Sequence, residues 1–293
     1  MKHALLQNSQ GTFPEVVLDD VFPEGIVDIA YGAEAASLIL ATAAGSLTLL
    51  HRNGSLLKTN RNFEGVRSVV WADTGNFGAA IVGNNKIICF DSGLQTLWDV
   101  RITGQVRSIA ITPHGSHLAI CDNSARAHIV TTDRQQIAKF NTTQTLDFVQ
   151  FVAERPRLIG AAEFGHLCCY SLTGEALWSQ QLSCNVGALA VSGCGRRILL
   201  AGFNHGIQML NGRGHQRGSF MLDGIPATVS VSASRRRIAV LTLESRVYWM
   251  NFEGDMLWAG DLSMDPPTRI AAGPLGERLF LVTQSGRLLQ LQW

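Results

Sequence analysis

Apolar and polar residues alternate along most of this chain with a period of two, which is typical of β-strands rather than helices. One such pattern occupies residues 26–31 (IVDIAY). Copies follow at residues 66–71, 106–111, 146–151, 186–191 and 226–231. In each copy the apolar residues keep the same two positions, 29 and 31 in the first and 229 and 231 in the last. The pattern therefore predicts the first strand of a repeated unit.

A second motif sets the period of this repeat. A turn glycine, two spacers and two apolar residues form GEALW at 174–178 and GDMLW at 254–258, with a degraded copy, GHQRG, at 214–218. Earlier copies are in register at Leu97-Trp98 and at residues 54–57. The unit repeats every 40 residues from about residue 26 to residue 260. Two apolar strands and their polar turns separate the first strand from this fourth one, which predicts one β-propeller blade per unit.

Counting fourth strands predicts the number of blades. Six are centred near residues 58, 98, 138, 178, 218 and 258, and a last unit from 267 to 293 stops after its third strand. The strand-like run at residues 15–19 is expected to supply the missing fourth strand and to remove an exposed edge. The predicted fold is therefore all-β, a seven-bladed β-propeller of four-stranded antiparallel blades, closed by an N-terminal strand. Residues 13–293 form one domain in this interpretation, and residues 1–12 a polar, mobile tail.

The segment around residues 131–157 also admits a helical interpretation. Residues 133–154 contain no glycine or proline, and Ile137, Phe140, Leu146 and Val149 follow a helix-like spacing. Register favours strands, because residues 148–151 (FVQF) fall where every other unit has its first strand.

Two families resemble this repeat. The 40-residue period, the seven units and the N-terminal closing strand are similar to the WD-repeat class, although the Gly-His and Trp-Asp pairs of that class are missing from their usual places. Trp98-Asp99 lies instead on a fourth strand. Residues 173–178 (TGEALW) resemble the Thr-Gly-Lys-x-x-Trp part of the tryptophan docking motif in quinoprotein-like propellers. Both resemblances imply a fold, and a fold does not imply a function.

The quinoprotein resemblance raises the question of a quinone cofactor, because dehydrogenases of that family carry a pair of adjacent cysteines. This chain has Cys168-Cys169, but within a predicted third strand, where successive side chains point to opposite faces. We therefore expect two buried strand residues and no quinone. The other cysteines also lie largely in apolar runs, and all six are predicted to be free thiols.

Composition and charge narrow the class of protein. Hydrophobic residues make up 46% of the 293 residues, which excludes a disordered chain. Charged residues make up only 16%. The formal net charge is +1, so a nucleic-acid binder with a uniformly basic surface is not indicated. The N-terminal apolar run is too short for a secretory signal, and no run is long enough to span a membrane. We expect a cytoplasmic protein with no membrane partner.

Motifs for catalysis, metals or cofactors are not found in the sequence. It contains no Walker loop, no His-Glu-x-x-His helix and no Gly-x-Ser-x-Gly elbow. His166 lies near Cys168 and Cys169, but alternation leaves at most two of the three on one face, which is too few for zinc. No catalytic residue, metal or cofactor is predicted, and the protein is expected not to be an enzyme.

The alternative is a hydrolase or lyase with its site at the mouth of a central channel. First-strand polar residues would then carry the chemistry: Asp28, Arg67, Arg107 and Asp147. The simpler interpretation of these four is channel lining and hydrogen bonding between blades.

The placement of arginine is the feature that indicates a function. Turns between first and second strands are expected on one face, and on blades four to seven they carry eight arginines: Arg155, Arg157, Arg196, Arg197, Arg235, Arg236, Arg237 and Arg278. Over all seven such turns the acids are Glu34, Asp73, Glu154 and Glu277. Arginine binds carboxylates and phosphates in a bidentate manner.

These residues predict a non-catalytic scaffold for protein–protein interaction, a subunit of a larger assembly, whose arginine-rich face binds an acidic or phosphorylated protein. An anionic small ligand or nucleic acid is the less favoured alternative. The alternative without a binding function is that these turns are polar only because they are exposed to water.

Overall fold

The computed structural model describes residues 3–234 and 236–293, which fold almost entirely as β-strands. The chain divides into two compact units. We name Val27–Ser183 the middle unit, and Met1–Ile26 together with Cys184–Trp293 the terminal unit.

The N-terminal segment contributes three elements to the terminal unit. They are a short 3-10 helix (Ala4–Leu6), strand β1 (Ser9–Gly11) and strand β2 (Glu15–Val21).

The middle unit contains four antiparallel sheets, in each of which consecutive strands are neighbours. Their strands are β3 (Ile26–Gly32), β4 (Ser37–Thr42), β5 (Leu47–His51) and β6 (Leu56–Asn60); β7 (Val66–Trp71), β8 (Phe77–Val82), β9 (Lys86–Asp91) and β10 (Thr96–Arg101); β11 (Val106–Ile111), β12 (His117–Asp122), β13 (Arg126–Thr131) and β14 (Gln136–Asn141); β15 (Phe148–Phe151), β16 (Arg157–Ala161), β17 (His166–Ser171) and β18 (Ala176–Gln181). Strands β14 and β15 show that the segment around 131–157 forms strands, as its register predicts.

The terminal unit contains three sheets. Their strands are β19 (Val186–Val191), β20 (Arg197–Gly202), β21 (Gly206–Asn211) and β22 (Gln216–Phe220); β23 (Pro226–Val231), β24 (Arg237–Thr242), β25 (Arg246–Asn251) and β26 (Met256–Asp261); β27 (Pro267–Ala272), β28 (Arg278–Thr283) and β29 (Arg287–Gln292). Strand β2 pairs antiparallel with β29, with Glu15 opposite Gln292 and Asp19 opposite Leu289. The prediction that the N-terminal run completes the last sheet is confirmed.

Part of the predicted tail is ordered. Strand β1 pairs antiparallel with β26 and makes that sheet five-stranded, and Leu6 is buried in the core of the terminal unit. The close approach of β1 to β26 depends on Gly11. Its φ is 87°, and a Cβ added there would lie 2.3 Å from the Leu257 carbonyl oxygen. Residues 4–11, which the sequence analysis assigned to a polar tail, thus include a short helix and a strand, held by apolar burial and by pairing with a strand edge.

Each outer strand carries a β-bulge at the same repeat position. The pairing register skips one residue in each fourth strand of the described sheets, namely Val17, Leu57, Leu97, Ile137, Leu177, Arg217 and Leu257. Six of these seven residues are aliphatic, and Val17, Leu57, Leu97, Ile137 and Leu177 are exposed. A bulge bends and twists an outer strand, which makes pairing with a second chain harder.

Aromatic stacking fills the core of the middle unit. Trp71 and Phe90 stack with ring centroids 5.8 Å apart, and Phe63 meets Phe90 edge-on at 5.6 Å. Gly78 lies against both rings, since a Cβ there would come within 2.4 Å of Phe90 and 2.7 Å of Trp71. Glycine at position 78 therefore leaves room for both the Phe90 and the Trp71 rings.

The core of the terminal unit contains three tryptophans. Trp249 stacks on Trp293 at 4.9 Å, and Trp258 meets Trp293 at 5.7 Å. Trp249 and Trp258 are buried, together with Leu6 and the apolar residues of β28 and β29.

Candidate functional site

The arginines predicted to bind a partner divide between the two units. Arg155 and Arg157 lie in the middle unit, at the turn between β15 and β16. The others lie at the corresponding turns of the terminal unit. Their described members are Arg196, Arg197, Arg236, Arg237 and Arg278, and Arg235 lies outside the described residues.

A repeated hydrogen-bonding pattern positions the arginines of the terminal unit. The Ser192 hydroxyl accepts a hydrogen bond from the Arg197 backbone N–H at 3.1 Å, and the Ser232 hydroxyl accepts one from Arg237 at 3.1 Å. The backbone N–H of each serine donates to the carbonyl of the same arginine at 3.0 Å. These hydrogen bonds close both turns at their base. Each arginine is the first residue of a strand and therefore lies at the end of its sheet.

Two of these turns in the terminal unit are bonded to each other. Ser234 donates from its backbone N–H to the Pro274 carbonyl at 2.9 Å, and from its hydroxyl to the same oxygen at 3.0 Å. This contact sets the turn that carries Arg236 beside the turn that carries Arg278.

Few carboxylates neutralise these guanidinium groups. Arg236 lies 3.4 Å from Glu253, but their side chains are 73% and 56% exposed, so water and salt screen this pair. Arg278 lies 3.8 Å from Glu277. Within residues 3–234 and 236–293, Arg196, Arg197 and Arg237 form no ion pair, and the last two donate only to neighbouring backbone carbonyls. The turns of the terminal unit thus hold cations free to meet an anion.

In the middle unit, Arg155 borders a cavity of about 280 Å³. The lining also includes Glu154, His117, Phe151 and Leu172. Arg155 is exposed, whereas Arg157 is half-buried at the start of β16 and donates its backbone N–H to the Arg155 carbonyl at 2.7 Å. This turn offers one exposed cation.

Comparison with solved structures gives the fold. The chain is similar to the crystal structure of the Cps50 (Swd1) beta-propeller domain of Myceliophteria thermophila, with a TM-score of 0.82 and 14% sequence identity. The match covers 96% of this chain and 99% of that chain. The fold is a seven-bladed β-propeller. The predicted resemblance at the level of the fold is confirmed, whereas identity this low says nothing about activity.

Sequence comparisons add no family to this result. No protein-family model matches the chain, and no curated protein sequence matches it.

The first-strand residues considered for catalysis make hydrogen bonds between neighbouring blades of the middle unit. Asp28 accepts from the Ser68 hydroxyl at 2.7 Å and from the Val69 backbone N–H at 2.9 Å. Arg67 donates to the Gly83 carbonyl of its own blade and to the Val106 carbonyl of the next blade. Arg107 pairs with Asp147 at 2.6 Å. These contacts account for the polar residues as links between blades.

The cysteines are free thiols, as the sequence predicts. Cys168 and Cys169 are buried in β17, and burial raises the pKa of these thiols to about 12 and about 11. In the part of the chain that the structure describes, no three His, Cys, Asp or Glu side chains are grouped so as to hold a metal ion. No helix among these residues is long and apolar enough to cross a membrane.

A cavity of about 640 Å³ in the terminal unit was missed by the sequence reasoning. It lies between residues 7–10 and the blade of β23–β26, and Met221, Met256 and Arg246 contribute to its lining.

Proposed function

We propose that this propeller is a non-catalytic scaffold for protein–protein interaction, and a subunit of a cytoplasmic assembly. An acidic or phosphorylated segment of a partner protein binds at its arginine-bearing turns. One observation carries the proposal: among the described residues, three guanidinium groups at the turns of the terminal unit have no carboxylate partner, those of Arg196, Arg197 and Arg237.

The closure of these turns favours binding. Serine hydroxyls and the Ser234–Pro274 contact hold the backbone before any partner arrives. A preformed turn loses less conformational entropy on binding than a flexible loop. Each guanidinium can bind a carboxylate or phosphate through two N–H groups, so several weak contacts add up across one partner segment.

Two further observations support the class of function and the compartment. The polar first-strand residues that a hydrolase or lyase would need are engaged in contacts between blades, such as the Arg107–Asp147 pair. Six free thiols, two of them adjacent, fit a reducing compartment such as the cytoplasm.

The proposal is tested by affinity purification of the tagged protein from its native source. A triple charge reversal, Arg196→Glu, Arg236→Glu and Arg237→Glu, should abolish capture of the partner that the unaltered protein retains. Arg61→Glu is the matched control, because Arg61 is exposed and lies in the link between β6 and β7 rather than in a strand 1–2 turn. The control should capture the partner normally, and the interaction should weaken between about 0.1 M and about 0.5 M salt.

Two outcomes would count against the proposal. Equal capture by the triple variant would remove the arginine-bearing turns from the interface. Loss of the captured material after nuclease treatment would replace the protein partner with nucleic acid. Phosphatase treatment separates the two partner chemistries, since only a phosphorylated segment loses its affinity.

A further inference from the structure

A basic groove in the middle unit is assigned no role by anything described so far. It has a volume of about 310 Å³ and lies between β10 and the face of the β11–β14 blade. Trp98, Ile102, Ile120 and Val130 form its apolar surface. The Trp98 ring is held in place, because its Nε1 donates to the Thr132 carbonyl at 2.6 Å.

Positive side chains surround this apolar surface. They are Arg101, Arg126, Arg134 and Lys139, and the half-buried His128 lies among them. The one carboxylate in the lining, Asp122, is buried and accepts a hydrogen bond from Arg126 Nε at 3.0 Å. Among the residues that the structure describes, Arg101, Arg134 and Lys139 are exposed and form no ion pair.

The pKa values of two neighbouring groups, Asp99 and His128, are shifted in part by these cations. The pKa of Asp99 is lowered, first by Lys86 at 2.6 Å and further by Arg134 and Arg101. The pKa of His128 is lowered by burial and then by Lys139, with Arg126 in the same direction and Asp122 opposed. These shifts come mainly from the Lys86 ion pair and from burial, and the groove cations Arg101, Arg134 and Lys139 add to them.

The propeller itself does not require these cations. Ile120, His128 and Lys139 are cross-strand neighbours on one face. The corresponding residues are Ala80, Ile88 and Asp99 in the preceding blade, and Gly160, Cys168 and Ser179 in the following one. Both neighbouring blades form without a cation at these positions, so packing does not explain the basic residues.

We propose that this groove binds an acidic peptide segment of a partner protein, with an apolar side chain on the Trp98–Ile120–Val130 surface and carboxylates at Arg101, Arg134 and Lys139. Charge complementarity selects the acidic occupant. The apolar surface selects a peptide rather than a polyphosphate chain. The site shares no residue with the arginine-bearing turns, so it does not rest on the function proposed above.

The test uses fluorescence anisotropy with a labelled eight-residue peptide of glutamates around a central leucine. The variant is Arg101→Gln with Lys139→Ser, which takes the side chains found at the same repeat positions in a later blade, Gln181 and Ser179, and so preserves the fold. We expect about tenfold weaker binding. The control is Arg61→Gln, because Arg61 is the exposed counterpart of Arg101 one repeat earlier. Its affinity should stay within about twofold of the unaltered protein.

Several results would overturn the proposal. These are no binding of the glutamate peptide, equal binding of the same peptide with glutamine in place of glutamate, or equal loss in the control. Tighter binding of an RNA homopolymer than of the peptide, lost in the same variant, would assign the groove to nucleic acid instead. Quenching of Trp98 fluorescence by the peptide, absent in Trp98→Phe, would place the peptide in the groove.

Discussion

Arg107 and Asp147 form an ion pair between residues 40 positions apart, one repeat of the chain. The Arg107 Nε and Nη2 atoms lie 3.0 Å and 2.6 Å from the same Asp147 oxygen. The other Asp147 oxygen accepts the Glu163 backbone N–H at 2.9 Å. The carboxylate therefore joins two blades and also closes a turn within its own blade.

This arrangement predicts unequal effects for the two partners. Asp147→Ala should destabilise the protein by about 1–3 kcal/mol, because it removes the pair and leaves the Glu163 N–H without its acceptor. Arg107→Ala should cost about 0.5–1 kcal/mol, since its side chain is 39% exposed. Urea unfolding of the single and double variants measures both effects and their coupling. A larger loss for Arg107→Ala than for Asp147→Ala would contradict this account.

Gly78 and Gly218 offer a matched pair of strand glycines. Gly78→Ala places a methyl group 2.4 Å from the Phe90 ring and should destabilise the protein by about 1–3 kcal/mol, the usual cost of overpacking a core. Gly218→Ala meets no backbone and should be neutral, or stabilising by about 0.4–1 kcal/mol through the unfolded chain. Thermal unfolding of the two variants checks this prediction. Equal losses would mean that contact with the Phe90 ring does not set the cost at Gly78.

The repeat made most of the fold predictable from sequence. A 40-residue period imposes one strand order on every unit, so weak local signals near residues 131–157 were resolved by register. The pairing of Glu15 with Gln292 followed from counting strands, because the last unit lacked its fourth. Strand β1 could not be predicted in this way, since it lies outside the repeat and depends on a free edge and on Gly11.

Leu6 is the residue that should reveal whether the N-terminal segment stabilises the propeller. Leu6→Ala removes a buried side chain from the core of the terminal unit and should cost about 2–4 kcal/mol. Gln7→Ala, at the exposed neighbouring position, should change stability by less than about 0.5 kcal/mol. Chemical unfolding followed by tryptophan fluorescence measures the difference. If both variants unfold at the same urea concentration, the segment does not contribute to global stability.

The candidate sites were less predictable than the fold, for a physical reason. The turn arginines follow from the repeat, so their place at the ends of the strands could be predicted, but whether a carboxylate meets them depends on tertiary distances such as that between Arg236 and Glu253. The basic groove was missed because its cations come from β10, β13, β14 and a turn. Only the pairing register brings His128 and Lys139 side by side.

The thiols should differ sharply in reactivity. Burial raises the pKa of Cys121 and Cys168 to about 12, and it also raises the pKa of Cys89 and Cys184. At about pH 8 these buried thiols are protonated and shielded, so iodoacetamide should modify the partly exposed Cys194 first. Mass spectrometry of the intact protein should show one rapid addition, and six in urea. Rapid modification of Cys168 or Cys169 in the native protein would mean that β17 opens.

Asp19 predicts a loss of stability at acidic pH. Burial acts to raise the pKa of Asp19, but hydrogen bonds from His3 and Arg287 outweigh it and hold the pKa below its ordinary value of 3.8. The native protein thus binds fewer protons at this site than the unfolded chain, and its stability rises with pH through this range. The contribution is fully present above about pH 4 and is lost as the pH falls through the lowered pKa. Urea midpoints at about pH 6 and about pH 3 should therefore differ less in Asp19→Asn than in the unaltered protein, whereas Asp20→Asn, at an exposed neighbour, should keep the original difference. An unchanged pH dependence in Asp19→Asn would show that the His3–Asp19–Arg287 contacts do not stabilise the pairing of β2 with β29.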